Sequence, residues 1–314
     1  MSAPLIDVRG LQMAYGDKRV LAGVDFSVGR GEVVGLLGPN GAGKTTTMDI
    51  LGGFRRPSAG EVDVLGEAPI SASESWRARV GIVQQSWRDH AKWRVHEFLD
   101  YLGSYYRPYA TGGVARPWPT DDLLEVVGLS GSRDTQLRRL SGGQRRRLDV
   151  AVGIVGRPEL LFLDEPTAGF DPEARRDFQD LIGRLADEGT TILVTTHDLD
   201  EAEKISDRIL ILADGRVVAD GSPDQLRGRV GSTTEIIWTD DTGRHVHATE
   251  DPTGFLRAHL AAPEARMDAL EVRRSTLEDV YLSLIRRVEH GEDLALPELS
   301  ASPSGAGTHP TEDR

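Results

Sequence analysis

The stretch Gly38-Pro39-Asn40-Gly41-Ala42-Gly43-Lys44-Thr45 limits what this chain can fold into more than any other. Upstream of it, Val33-Val34-Gly35-Leu36-Leu37 is an apolar run that reads as a buried strand; downstream, Thr46-Thr47-Met48-Asp49-Ile50-Leu51 reads as a helix. Strand, glycine-rich turn and helix in that order form the Walker A pattern of a phosphate loop. Glycines let the backbone curl until several N–H groups point at one anion. The helix N-terminus adds its own unpaired N–H groups and the positive end of its dipole. Lys44 then reaches the β- and γ-phosphates of a nucleotide, and the Thr45 hydroxyl sits on Mg²⁺. Lysine occurs only at Lys18, Lys44, Lys92 and Lys204, while arginine is abundant, so a lysine at this point is not decoration. A merely flexible turn is the plain alternative, and the strand and helix on either side count against it. The sequence predicts binding of a nucleoside triphosphate.

Two later stretches carry matching chemistry. Leu160-Leu161-Phe162-Leu163 is apolar and ends in Asp164-Glu165, a Walker B pattern that delivers two carboxylates to the C-terminal edge of a buried strand. There Asp164 can hold Mg²⁺ and Glu165 can polarise an attacking water. Leu140-Ser141-Gly142-Gly143-Gln144 runs straight into a helical segment, a second small polar loop delivering a helix N-terminus. Arg145-Arg146-Arg147 follows it and is read as a solvated helix face with ion pairs to neighbouring acids, the alternative being a nucleic-acid patch. His197 follows the apolar strand Thr191-Ile192-Leu193-Val194-Thr195, which places it at the same sheet edge and predicts a γ-phosphate contact rather than a cap. Tyr15, at a strand end upstream of the phosphate loop, is open between stacking on an adenine ring and ordinary packing.

Composition removes several function classes. A formal net charge of −13 argues against broad nucleic-acid binding, because a phosphate backbone wants a basic face. The absence of cysteine excludes disulfides and thiolate metal sites. No secretion signal is expected from the first residues, and no apolar run approaches the roughly 20 residues that span a bilayer. Strands are expected over residues 5–11, 21–28, 33–37, 61–65, 80–83, 160–163 and 191–195, with a hairpin at 208–219 turning on Asp214-Gly215. Helices are expected over 95–106, 121–127 and 173–187. Residues 1–228 form the main domain, 229–290 a small α+β appendage, and 291–314 an acidic tail rich in Pro, Ser and Gly, whose composition predicts disorder. In the appendage His245 and His247 share a strand face; without a third ligand a packed or solvated pair is favoured over a metal site.

Tyr15, the phosphate loop, Gln85, Leu140–Gln144, Asp164-Glu165 and His197, in that order, resemble the ATP-binding subunit of an ABC transporter over roughly residues 5–227. The resemblance implies an α/β fold: an ABC-type P-loop ATPase domain with a RecA-like core, an antiparallel β-subdomain and a helical subdomain, ahead of the C-terminal α+β appendage. It implies ATP and Mg²⁺ as cofactors. Glu165, His197, Gln85 and Lys44 become catalytic, and Thr45, Gln85 and Asp164 become metal ligands. Tyr15, Gly38, Asn40, Gly41, Gly43, Lys44, Thr45 and Thr46 hold the nucleotide in one subunit. Ser141, Gly142, Gly143 and Gln144, in the signature loop, meet the γ-phosphate across a head-to-tail dimer, with Asp171 as the D-loop acid. Phe170 stands where that loop usually has Leu, and Gln84 where a Pro commonly precedes the Q-loop glutamine; neither removes a catalytic group.

The segment Ser275-Thr276-Leu277-Glu278-Asp279-Val280-Tyr281-Leu282 is similar to the C-terminal motif of ABC-2 type drug-exporter subunits of the daunorubicin-resistance kind. By that resemblance the protein hydrolyses ATP to power a separately encoded permease. It would pair with a second ATPase subunit, identical or related, and sit on the cytoplasmic face of the membrane through the permease. Trp87 and Trp93, after the Q-loop glutamine, are candidate anchors for that permease, the alternative being the core of the helical subdomain. The rival reading is an ABC ATPase acting on nucleic acid or the ribosome, against which stand the single cassette and the absence of a heptad run. A regulator that binds ATP without turnover is disfavoured by the presence of both Glu165 and His197.

Overall fold

The computed structural model describes residues 3–83, 91–110, 113–167, 170–229, 234–249, 251–261, 266–274 and 276–290. Gln84, Gln85, Trp87, Ser275 and the 291–314 tail lie outside the described residues. Among the described residues twelve strands make three sheets: β1 (Ile6–Tyr15), β2 (Lys18–Val28), β3 (Val33–Leu37), β4 (Ala59–Val64), β5 (Val80–Val83), β6 (Leu160–Asp164), β7 (Thr191–Thr196), β8 (Arg208–Ala213), β9 (Arg216–Gly221), β10 (Thr234–Asp240), β11 (Gly243–Thr249) and β12 (Asp268–Arg274).

The central sheet has the order β5-β6-β7-β3-β8-β9, parallel except for the antiparallel edge strand β9. Every residue of β3 is buried, as is expected of a parallel strand covered on both faces. The period-2 alternation of β6 divides the protein into layers. Leu160 and Phe162 face a core shared with the antiparallel sheet β2-β1-β4 and with Met48, Ile50 and Leu51 of the helix Lys44–Leu51. Leu161 and Leu163 face the opposite way, into a core with Phe98, Leu99, Leu123, Leu148 and Phe178 from the helices Val95–Ser104, Thr120–Val126, Gly142–Ile154 and Pro172–Asp187. The helix Pro172–Asp187 follows from its sequence. Asp171 caps it by accepting from the Ala174 N–H at 2.8 Å, Pro172 opens it, and Ala174, Phe178, Leu181, Ile182 and Leu185 supply one apolar stripe.

Beyond β9 the chain builds the third sheet, β11-β10-β12, with the helix Pro252–Leu260 on one face. The helix Leu277–Glu289, grouped by the sequence with that α+β unit, packs instead into the main body. Its Leu277, Val280 and Leu284 share a core with Leu37, Ile209, Ile211 and Ala219 of the central sheet and with Ala202 and Leu226. A boundary at residue 228 therefore cuts between elements that share one core. The helices Leu199–Ile205 and Pro223–Arg229, too short to show a period in the sequence, supply the other walls of that core.

If the last helix is part of the main body, Leu277→Ala lowers stability by about 2–5 kcal/mol. Leu282→Ala, on its solvent side, stays within about 0.5 kcal/mol of the parent. Urea unfolding midpoints measure both; equal midpoints would show that the helix does not contribute to the body's core.

Candidate functional site

The phosphate loop leaves the end of β3, and steric limits dictate its glycines. A Cβ on Gly38 would lie 2.3 Å from the Leu212 carbonyl oxygen. Gly43 has φ +109°, and a Cβ there would meet Leu21 Cδ2 at 2.5 Å. Gly43 is also the N-cap of the helix Lys44–Leu51 and has no side chain to bond the first-turn N–H groups, which leaves them for an anion. Lys44 is buried, and its Nζ donates to the carbonyls of Gly38 at 2.7 Å and Pro39 at 3.3 Å. Burial lowers the Lys44 pKa, while the nearby Glu165 and Asp164 carboxylates oppose that shift. Asn40, Gly41, Gly43, Lys44, Thr45 and Thr46 line a cleft of about 660 Å³ with Tyr15, Lys18, Val20, Asp164 and Glu165. Tyr15 stands 41% exposed at its rim with the Arg55 guanidinium 5.1 Å from its ring centroid, so core packing is not its role.

Sheet order places the acids. β7 lies between β3 and β6, with Asp164 opposite Thr195 and Leu37 opposite Thr196, so all three strand ends meet at one edge. Asp164 accepts from Thr45 Oγ1 at 3.2 Å and from Thr195 Oγ1 at 2.5 Å. The Glu165 N–H donates to the carbonyl of Thr195 at 3.1 Å and to its hydroxyl at 3.0 Å. Glu165 adopts φ +45°, a left-handed backbone that a glutamate adopts at a cost of order 1 kcal/mol or more. Its Oε1 lies 3.5 Å from Nδ1 of His197, whose ring is largely exposed. The turn bearing His197 is fixed from behind. Thr196 Oγ1 donates to the buried Glu201 at 2.6 Å and accepts from the Asp198 N–H at 3.0 Å, and Arg175 bonds the Asp198 carboxylate at 2.6 Å.

Ser141 caps the helix Gly142–Ile154 in a capping box with Gln144. The Gln144 side chain is turned inward, accepting from the Ser141 N–H at 3.0 Å and donating to Ser132 Oγ at 3.1 Å. Ser141 and Gly142 are exposed, and a Cβ on Gly142 or Gly143 would meet open space. Among the described residues none of 141–144 lines the phosphate cleft, and Asp171 is used as a helix cap. One chain therefore brings Tyr15, the phosphate loop, Asp164, Glu165 and His197 together and holds Ser141, Gly142, Gly143 and Gln144 apart from them.

The arginine run is not a uniform solvated face. Arg145 and Arg147 are ion-paired, to Asp149 at 3.4 Å and Asp177 at 2.6 Å. Arg146 is buried; its Nε donates to the Pro166 carbonyl at 2.6 Å and its Nη2 to those of Asp164 and Glu165, both at 3.1 Å. Burial lowers its pKa, with Asp149 and Asp164 opposing the shift. Thr195, Arg146, Arg175 and Glu201 are site residues that sequence reasoning missed. Only the strand register and the seats of the helices Gly142–Ile154, Pro172–Asp187 and Leu199–Ile205 disclose them. In the C-terminal sheet His245 stacks on Trp238 and bonds Asp240, and His247 stacks on Phe255. No metal-binding group of three or more His or acidic side chains forms among the described residues.

Residues 21–168 match the ABC transporter family model. The chain is 36% identical over 311 residues to the daunorubicin resistance ATP-binding protein of Streptomyces coeruleorubidus, covering 90% of this chain and 96% of that one. It is 37% identical over 303 residues to the Nod factor export ATP-binding protein I of Burkholderia orbicola, covering 91% and 99%. Among solved structures, the ATP-binding subunit of an ABC transporter superposes with a TM-score of 0.67 at 24% identity over 89% of this chain and 99% of that one. A bacterial ABC transporter cassette solved as a dimer gives 0.60 at 24% identity over 69% and 98%. Both show the fold.

Thr195→Val keeps the shape of the side chain and deletes its bonds to Asp164 and Glu165. The substitution is expected to cost about 1–3 kcal/mol in chemical unfolding and to lower the ATPase rate by about tenfold through loss of positioning. Parental values for both would remove Thr195 from the site.

Proposed function

Because the chain belongs to the ABC transporter family as an ATP-binding subunit, an ATPase coupled to transport, we propose that it powers an exporter whose permease is a separate chain of the ABC-2 type. The observation that carries this reading is the convergence of Lys44, Thr45, Asp164 and Glu165 on one cleft at the C-terminal edge of the central sheet, with His197 3.5 Å from Glu165. First-turn N–H groups and the desolvated Lys44 ammonium bind the phosphates, with Lys44 exchanging its loop carbonyls for phosphate oxygens. The Thr45 hydroxyl and Asp164 carboxylate, 3.2 Å apart, are hard oxygen donors of the kind Mg²⁺ takes. When bound there, Mg²⁺ would offset charge on the phosphate oxygens. Glu165 accepts a proton from the water that attacks the γ-phosphorus, and ADP leaves as the P–O bond breaks. In this reading His197, 3.5 Å from Glu165, holds the transferred phosphoryl group.

The cleft lacks the signature residues, while Ser141 and Gly142 present a helix N-terminus to solvent. A head-to-tail dimer supplies each with what it lacks, since γ-phosphate charge then meets two helix N-termini from different chains. Nucleic acid is disfavoured because Arg145 and Arg147 are paired with acids and Arg146 is buried. Among the described residues no helix is long and apolar enough to cross a membrane. With a net charge of −13 the protein is repelled by anionic lipid, so its seat on the cytoplasmic face depends on the permease.

Trp87 lies outside the described residues, and beside Trp93 the proposed permease surface takes in the tyrosines of the same helical subdomain. Trp93 is half-buried, edge-on to Phe98 and to Tyr101 at 5.1 Å. Tyr105 is 58% exposed and lines a groove of about 420 Å³ with Glu74, Arg77, Leu102, Tyr106 and Tyr109. A cytoplasmic amphipathic helix of the permease fits that chemistry. Tyr105→Glu is expected to spare folding and basal ATPase activity but abolish co-purification with the permease; undiminished co-purification would place the contact elsewhere.

Glu165→Gln is expected to preserve ATP binding, slow hydrolysis by about 10²–10⁴-fold and trap an ATP-dependent dimer on gel filtration. Adding Ser141→Arg to that variant should abolish the dimer while the monomer still binds ATP. Hydrolysis at the parental rate would mean that Glu165 is not the base, and a dimer that survives Ser141→Arg would sink the shared-site arrangement.

A further inference from the structure

Arg146 is a buried cation that does not line the phosphate cleft. It sits in the second turn of the helix that Ser141 caps, so its backbone moves with the signature loop. Its guanidinium crosses to the strand end that carries the catalytic acids and donates to three successive carbonyls, those of Asp164, Glu165 and Pro166. Asp149, one turn further along the same helix, faces Arg146 Nη1 at 3.6 Å. Glu165 is thus gripped on both of its peptide groups. Thr195 receives its N–H and Arg146 donates to its C=O, with the residue between them held at φ +45°. A left-handed glutamate persists only where its surroundings over-determine it, and these two contacts do so.

We propose that Arg146 is a positioning residue for Glu165: it ties the helix that carries the signature loop to the backbone of the acid in the same chain, so that the seat of that helix sets the aim of the Glu165 carboxylate. The proposal rests on the reading of Glu165 as the general base. In the head-to-tail dimer the signature loop touches the partner subunit's nucleotide. Arg146 is then a physical route by which occupancy of one site reaches the acid of the other. The planar guanidinium fork reaches all three carbonyls at once, which a lysine ammonium at the end of a flexible stem does not reproduce.

A double-mutant cycle tests this. Arg146→Lys and Arg146→Met are each introduced into the parent and into Glu165→Gln, and kcat, KM for ATP and ATP-dependent dimerisation are measured. In the parent, kcat should fall about 10- to 100-fold, the cost of misplacing a catalytic group by about an ångström, with Met worse than Lys and KM within about threefold of the parent. In the Glu165→Gln background the same substitutions should leave the residual rate within about twofold, because a residue that acts through Glu165 has nothing left to position. The dimer trapped by Glu165→Gln should persist in the double variants. An equal loss of rate in both backgrounds, a rise in KM without a change in kcat, or loss of the trapped dimer would overturn the proposal. If Met unfolds the protein, Lys carries the test; unfolding by both would overturn it in favour of a buried cation that serves the fold alone. Hydrolysis by Glu165→Gln alone at the parental rate would instead refute the premise about Glu165, and it reads out separately.

Discussion

Asp164 ties together parts of the chain that are far apart in sequence. One carboxylate oxygen accepts from Thr45 at the start of the phosphate-loop helix, the other from Thr195 on β7, and the backbone carbonyl from Arg146 on the signature helix. One residue at a strand end thus fixes three elements, two through its side chain and one through its backbone. The arrangement depends on the order β6-β7-β3, which sets the phosphate loop one strand away from β6 and puts Thr195 directly opposite Asp164. The fold and the site are therefore one set of contacts.

The next residue carries the strain. Glu165 stands in the left-handed region at the point where the chain turns from β6 toward the cleft. Asp214, also left-handed, is by contrast in the two-residue turn between β8 and β9, where such a conformation is routine. At Glu165 the conformation aims a carboxylate at His197 and the cleft, and bonds from Thr195 and Arg146 hold it there. Strain at a functional position, held by neighbours with no chemistry of their own, makes those neighbours part of the site's design.

Sequence reasoning reached what local chemistry writes locally. The glycines of the phosphate loop, the Asp164-Glu165 pair after an apolar strand and the small polar loop that opens a helix at Leu140–Gln144 are each legible within a few residues. So was the central sheet, because parallel strands buried on both faces read as continuous apolar runs. What stayed hidden depends on which strands and helices become neighbours. Thr195 looks like any strand threonine until register sets it against Asp164. Arg146 looks like its two neighbours in an arginine run until the helix is seated and one of the three points inward. Gln144, expected at the phosphate, spends its amide on the capping box and Ser132.

The C-terminal helix was misassigned for the same reason, and its true place changes how the appendage relates to the ATPase. The chain leaves the main body through the helix Pro223–Arg229, builds the sheet β11-β10-β12, and returns through the helix Leu277–Glu289 into a core that includes Leu37. Leu37 is the last residue of β3, immediately before the phosphate loop. A unit attached by one linker moves freely by default, but this one is held at both ends. Its β12 residue Arg273 also faces Asp279 of the returning helix at 3.6 Å. The α+β unit is thus bracketed by two helices, Pro223–Arg229 and Leu277–Glu289, whose Leu226, Leu277, Val280 and Leu284 share one core with Leu37.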